Sequence, residues 1–155
     1  MYVSLRTLAA PTVNLGELQL LDPDRPAQSD DDERKAWGTF VLLEPVEFAV
    51  DGELFTVPAG FMTDFASVPR MLWWLYPSRG RRYELAAVIH DWLYSTAAGL
   101  DRARSDRVFR VAMLALGVPA FRAAILWAAV RVGGRKAWET GQANAADDPT
   151  WRILE

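Results

Sequence analysis

The pattern of apolar and polar positions changes character near residue 60. Before it, short runs of alternating or fully apolar residues are separated by turn residues; after it, apolar positions recur at helical spacing. Residues 17–21 and 37–43 read as strands. Between them, residues 22–35 form a polar loop that holds Pro23, Pro26 and the run Asp30-Asp31-Asp32-Glu33. Like charges repel, so that loop is solvated or clamps a partner. Residues 46–50 and 53–57 flank Asp51-Gly52. This is a strong hairpin signal, because both central residues of the turn favour positive φ.

The second half predicts helices. Pro69 opens a short one that reaches Tyr76 and stops at Pro77. Residues 82–97 carry apolar side chains at 85, 86, 88, 89, 92 and 93, with Gly99 as the stop. Asp101 is placed to cap the next helix, which ends at Gly117. Pro119 starts the last, running to Gly133 or slightly beyond, with a polar C-terminal tail over residues 138–155. Strands first and helices afterwards predict an α+β fold: a small antiparallel sheet from the N-terminal half packed on a layer of three to four helices. The whole of 1–155 reads as a single domain.

Composition narrows the chemistry. At 155 residues the chain can bury a core without covalent staples. It has no cysteine, which excludes a disulfide scaffold, a thiolate metal site and thiol catalysis. It has one histidine, His90, so sites that need two from one chain are excluded too. The net charge of −3 hides a split: residues 1–78 hold 5 basic and 12 acidic residues, and residues 79–138 hold 11 and 4. The arginines lie on apolar-striped helices without the aromatic interleaving of a single-strand binder, so nucleic acid is not the expected partner. Residues 111–130 are apolar apart from Arg122, but Gly117-Val118-Pro119 breaks them into a hairpin of two buried helices. No membrane span and no signal peptide are expected.

Two segments concentrate polar groups in apolar surroundings: residues 60–70, with Asp64 and Ser67, and residues 89–94, with His90 and Asp91. Asp106 opens the following helix, where it can approach the His90 turn and pair with Arg102 at i, i+4. Four readings stay open. In the first, these residues form a structural network, with His90 holding Asp64 or its loop and Asp91 capping the helix after Pro69. In the second, a divalent metal is held by His90, Asp64, Asp91 and Asp106; one imidazole with carboxylates suits magnesium, manganese or iron. In the third, Ser67 and His90 act with an aspartate in acyl transfer, although the strand–turn–helix elbow of that chemistry is missing. In the fourth, a carboxylate alone is a general base. The catalytic candidates are therefore Asp64, Ser67, His90 and Asp91. The His-Asp dipeptide is not that of the HD phosphohydrolases, which need further histidines. Seven tryptophans exceed the needs of a core this size. Trp138 and Trp151 in the tail, with Asp31 and Asp32 in the acidic loop, are the interface candidates.

Taken with residues 106–113, the two polar segments resemble the family catalogued as domain of unknown function 1353, found in tailed phages, prophages and bacteria. The resemblance spans residues 38–135 and leaves out the acidic loop and the tail. It implies phage ancestry rather than a mechanism. From it follows the expectation of a virion or assembly component, of the tail or the head–tail region, residing in the virion or the host cytoplasm. Its partners would be other phage structural proteins or copies of itself, and its polar centre would hold the fold. The alternative is a small hydrolase, metal-assisted or His/Asp-based, acting on cell-wall or nucleotide material.

Overall fold

A computed structural model describes residues 3–6, 18–20, 40–51, 53–63, 81–96, 98–150 and 153. Among them, strands β1 (Val3–Arg6), β2 (Leu18–Leu20), β3 (Phe40–Leu42), β4 (Val46–Val50), β5 (Glu53–Val57) and β6 (Met62–Thr63) precede four helices. The helices are α1 (Arg81–Ser95), α2 (Arg102–Ala115), α3 (Ala120–Gly133) and α4 (Arg135–Asp147). The fold is α+β, as the order of patterns predicts. The strands form two small antiparallel sheets, ordered β1-β4-β5 and β2-β3-β6.

The β4–β5 hairpin lies where the turn chemistry puts it. Val50 pairs with Glu53, leaving a two-residue connection, and Asp51 takes φ 52°, in the left-handed region that such a turn needs. Alternation then sends Phe48, Val50, Phe55 and Val57 inward, all buried. Phe48 stacks on Phe55 at 5.4 Å, and Trp92 of α1 meets both rings edge-on at 5.9 and 6.4 Å. This aromatic contact joins the sheet layer to the helical layer.

The α2–α3 hairpin is equally local in origin. The Asp101 carboxylate accepts from the Arg104 backbone N–H at 2.7 Å, which caps the start of α2. At the other end Gly117 takes φ 81°; its N–H bonds the Leu114 carbonyl at 3.0 Å, and the Val118 N–H bonds the Met113 carbonyl at 2.9 Å. These two bonds are a Schellman stop, which favours glycine at the left-handed position. Among the described residues no helix is long and apolar enough to cross a membrane.

Three expectations are adjusted. The hairpin's helices are buried on their inner faces only: α3 buries Ala123, Leu126 and Val130 but exposes Phe121, Ile125 and Val132. The polar tail is helical as far as Asp147, within α4, which starts at Arg135 and is rich in alanine, the best helix former. Beyond α4, Ile153 returns to pair with Phe61 beside the second sheet. Finally, β1 adds a strand that the N-terminal residues did not announce; it exists by pairing with β4, from Val3 with Val50 to Arg6 with Glu47. The expected short helix at residues 69–76 and the acidic loop at 22–35 lie outside the described residues.

Candidate functional site

The polar centre is built on one carboxylate. Asp106 sits in the second turn of α2, completely buried. Its Oδ1 accepts from His90 Nε2 at 2.9 Å and from the Tyr94 hydroxyl at 2.5 Å. Its Oδ2 accepts from the Arg131 guanidinium at 2.7 Å, with Arg102 at 3.9 Å. His90 and Tyr94 are one turn apart on α1, and Arg131 lies in the last turn of α3, so one carboxylate ties three helices together. The expected Arg102–Asp106 pair is present but is the longer of the two arginine contacts. Arg102 also donates to the Arg131 carbonyl at 3.0 Å, a cation at the negative end of α3.

Electrostatics fix the protonation of this centre. Burial alone pushes the Asp106 carboxyl up, but the hydrogen bonds from His90, Tyr94 and Arg131 outweigh it and hold the group below its usual range. Asp106 is thus an ionised acceptor, so the proton of the His90 contact resides on Nε2. Burial, followed by the hydrogen bond and the negative charge of Asp106, raises Tyr94 far above its ordinary value and keeps it a donor. The Arg131 cation balances the buried anion.

The aromatic walls complete the enclosure. The His90 ring lies 4.1 Å from the Tyr94 ring and 4.7 Å from Phe109, centroid to centroid. Trp138 of α4 closes on the far side of Tyr94, edge to face at 5.1 Å. Close approach of α4 requires two glycines. A Cβ at Gly134 would stand 2.8 Å from the Tyr94 hydroxyl, and one at Gly141 would stand 2.3 Å from the Tyr94 carbonyl oxygen. Gln142 then donates to the Tyr94 and Thr96 carbonyls at 3.0 Å each, satisfying acceptors at the end of α1.

A second polar contact lies one residue away. Asp91 follows His90 by about 100° around the helix and accepts from the Thr63 hydroxyl at 2.5 Å, with both residues buried. Thr63 ends β6, so this bond fastens α1 to the second sheet, immediately before Asp64 in the chain.

The candidate residues therefore separate. His90 and Asp106 meet directly. Asp91 turns to Thr63 instead. Asp64 and Ser67 lie outside the described residues, as do Asp31, Asp32 and Trp151. His90 finds its partner on α2, one that the structural-network reading had not assigned to it. Trp138, an interface candidate, packs half-buried on Tyr94. Among the described residues no group of three or more acidic or histidine side chains is gathered as a metal site, and the cation on Asp106 is an arginine. Arg131, Tyr94, Thr63 and Gln142 were not singled out in the sequence. Arg131 and Asp106 left a trace there, as a charge at the end of an apolar helix and the sole carboxylate in residues 102–133.

Comparison with known proteins adds one result. Neither the curated proteins nor the solved structures gave a match. The family described as "Protein of unknown function (DUF1353)" matches residues 40–130, a span from β3 into the last turn of α3 that takes in His90, Asp91, Asp106 and Thr63 and stops one residue before Arg131. That span exceeds half of the chain, and the chain belongs to this family.

Proposed function

We propose that this chain is a phage-type virion or assembly component whose Asp106 centre holds the fold, leaving the outer surfaces to make contacts. The observation that carries the reading is the enclosure of the sole histidine: His90 is 1% exposed and Asp106 0%. A general base needs hydrogen-bond reach to a substrate proton, and this imidazole spends its Nε2 on a buried, charge-balanced carboxylate. A buried carboxylate that accepts hydrogen bonds on both oxygens, and so joins three helices, rigidifies a core. In this reading the acidic segment with Asp31 and Asp32 and the tail residue Trp151, which lie outside the described residues, are the candidates to meet other phage structural proteins or copies of the chain.

A test of composition decides it. Particles of the phage or induced prophage that encodes the chain are purified on a density gradient and analysed by mass spectrometry. The reading expects the chain in finished particles or in isolated assembly intermediates; absence from both would overturn it.

The Thr63–Asp91 bond favours a second reading, a small hydrolase. It holds a buried carboxylate beside the strand end that leads into Asp64 and Ser67. In that case turnover of a cell-wall or nucleotide substrate falls in Asp91→Asn and Ser67→Ala while the fold persists. Equal turnover in both variants and the wild type would remove it.

A further inference from the structure

The α2–α3 hairpin has an outer face as well as the inner one that holds Asp106. On α3 the exposed residues Phe121, Ile125, Ala128 and Val132 follow the i, i+4, i+7, i+11 spacing of a single stripe, with Phe121 62% and Val132 87% exposed. On α2 the outward stripe includes Arg107, Arg110 and the exposed Leu114. On α3 itself the Arg122 guanidinium lies over the Phe121 ring at 5.7 Å, and on the flank of the helix Arg110 of α2 lies over the Trp127 ring at 5.3 Å. The face is therefore apolar and cationic together. Residues 102–133 hold six arginines and one carboxylate, and that carboxylate is the buried Asp106.

The β4–β5 side of the molecule has the opposite character. Residues 40–63 hold four carboxylates and neither lysine nor arginine. Leu54 is 54% exposed on β5, the outer strand of its sheet, on the face it shares with Glu47 of the paired β4, and the exposed Glu53 precedes it at the turn. One contact of opposite charge already links the two regions within the molecule, Arg104 with Asp51 at 3.1 Å. Arg107, Arg110, Glu44 and Glu53 form no ion pair among the described residues.

We propose that the outer face of α2–α3 docks the β4–β5 hairpin of a second copy of this chain. The contact deepens the assembly reading and rests on it. Leu54 on an acidic hairpin meets an apolar stripe with arginines on its own helix and on α2, so apolar area is buried while opposite charges align and fix the register. Pairing α3 with α3 of a second copy is disfavoured, because it buries the apolar stripe but leaves Arg107 and Arg110 without an opposite charge. A contact between unlike faces repeats: each copy keeps one face of each kind free, giving a ring when the rotation closes and an open stack when it does not.

Sedimentation velocity on the full chain tests this. The wild type is expected to associate with rising concentration, more weakly at high salt, since exposed charges are screened. Phe121→Glu on one face and Leu54→Lys on the other replace exposed side chains, and thermal melts verify that each variant stays folded. Each variant alone is expected to associate at least about tenfold more weakly. An equimolar mixture is expected to form a heterodimer and stop there, because each variant keeps the face that the other lacks. A wild type that stays monomeric at every concentration overturns the contact. So does a Leu54→Lys variant that associates like the wild type, or a mixture that stays monomeric. These outcomes leave the assembly reading itself to the particle analysis, so the two can fail separately.

Discussion

The two faces of the α2–α3 hairpin use the same residue types to opposite ends. Inward, Arg131 meets Asp106 beside His90 and Tyr94, the anion has four polar neighbours, and the second cation, Arg102, is held on the Arg131 carbonyl. Outward, Arg107 and Arg110 stand beside Leu114 and Trp127 with no carboxylate among the described residues to answer them. The difference follows from solvation. A buried charge costs several kcal/mol unless it is paired and fully hydrogen-bonded, so the inner set must close on itself. An exposed arginine is solvated at little cost and stays available for a partner. The inner face therefore carries stability, and the outer face is where the proposed contact would form.

The comparison breaks first at Asp106. Asp106→Ala removes the acceptor and leaves Arg131, His90 and Tyr94 facing an empty centre, a loss of about 3–5 kcal/mol. Urea denaturation measures it, and a change under ~1 kcal/mol would make the inner face no different from a surface. Next comes the seat of α4. Gly141→Ala drives a methyl group into the Tyr94 carbonyl and costs about 1–3 kcal/mol, seen as a lower Tm. An unchanged Tm would mean that α4 is not seated on α1.

Acid sharpens the same contrast. The Asp106 carboxyl sits below its ordinary value of 3.8 in the folded protein. Its contribution is therefore fully present above that value and is lost as pH falls through the lower, folded one. The urea midpoint of the wild type should fall through that acid window more steeply than that of Asp106→Asn. Parallel profiles would argue against a stabilised Asp106 anion. The smallest effect belongs to the local cap: Asp101→Ala frees an N-terminal N–H of α2 and costs about 1 kcal/mol, again by urea titration.

What the sequence disclosed follows the range of the interactions. The β4–β5 turn, the Asp101 cap and the Gly117 stop depend on a few neighbouring residues, and all three were legible. The pairing of His90 with Asp106 was half legible: the short connection between α1 and α2 brought the two into reach, but four readings of the polar residues around them stayed open. Arg131 lies 25 residues from Asp106 and Thr63 lies 28 from Asp91. Such partners are chosen by packing angles that no local pattern encodes. The helix within the polar tail was missed for a related reason. Apart from Trp138 its inner face is small, Gly141 and Ala145, so no stripe of large apolar residues marked it.

The central claim is that Asp106 and Arg131 act as one unit that joins α2 to α3. A double-mutant cycle of Asp106→Asn and Arg131→Met, read by urea denaturation of the two single variants and the double, tests it most directly. The account predicts a coupling of about 1–3 kcal/mol, with the double variant losing much less than the two singles combined. Additive losses, with coupling within about 0.3–0.5 kcal/mol of zero, would contradict it.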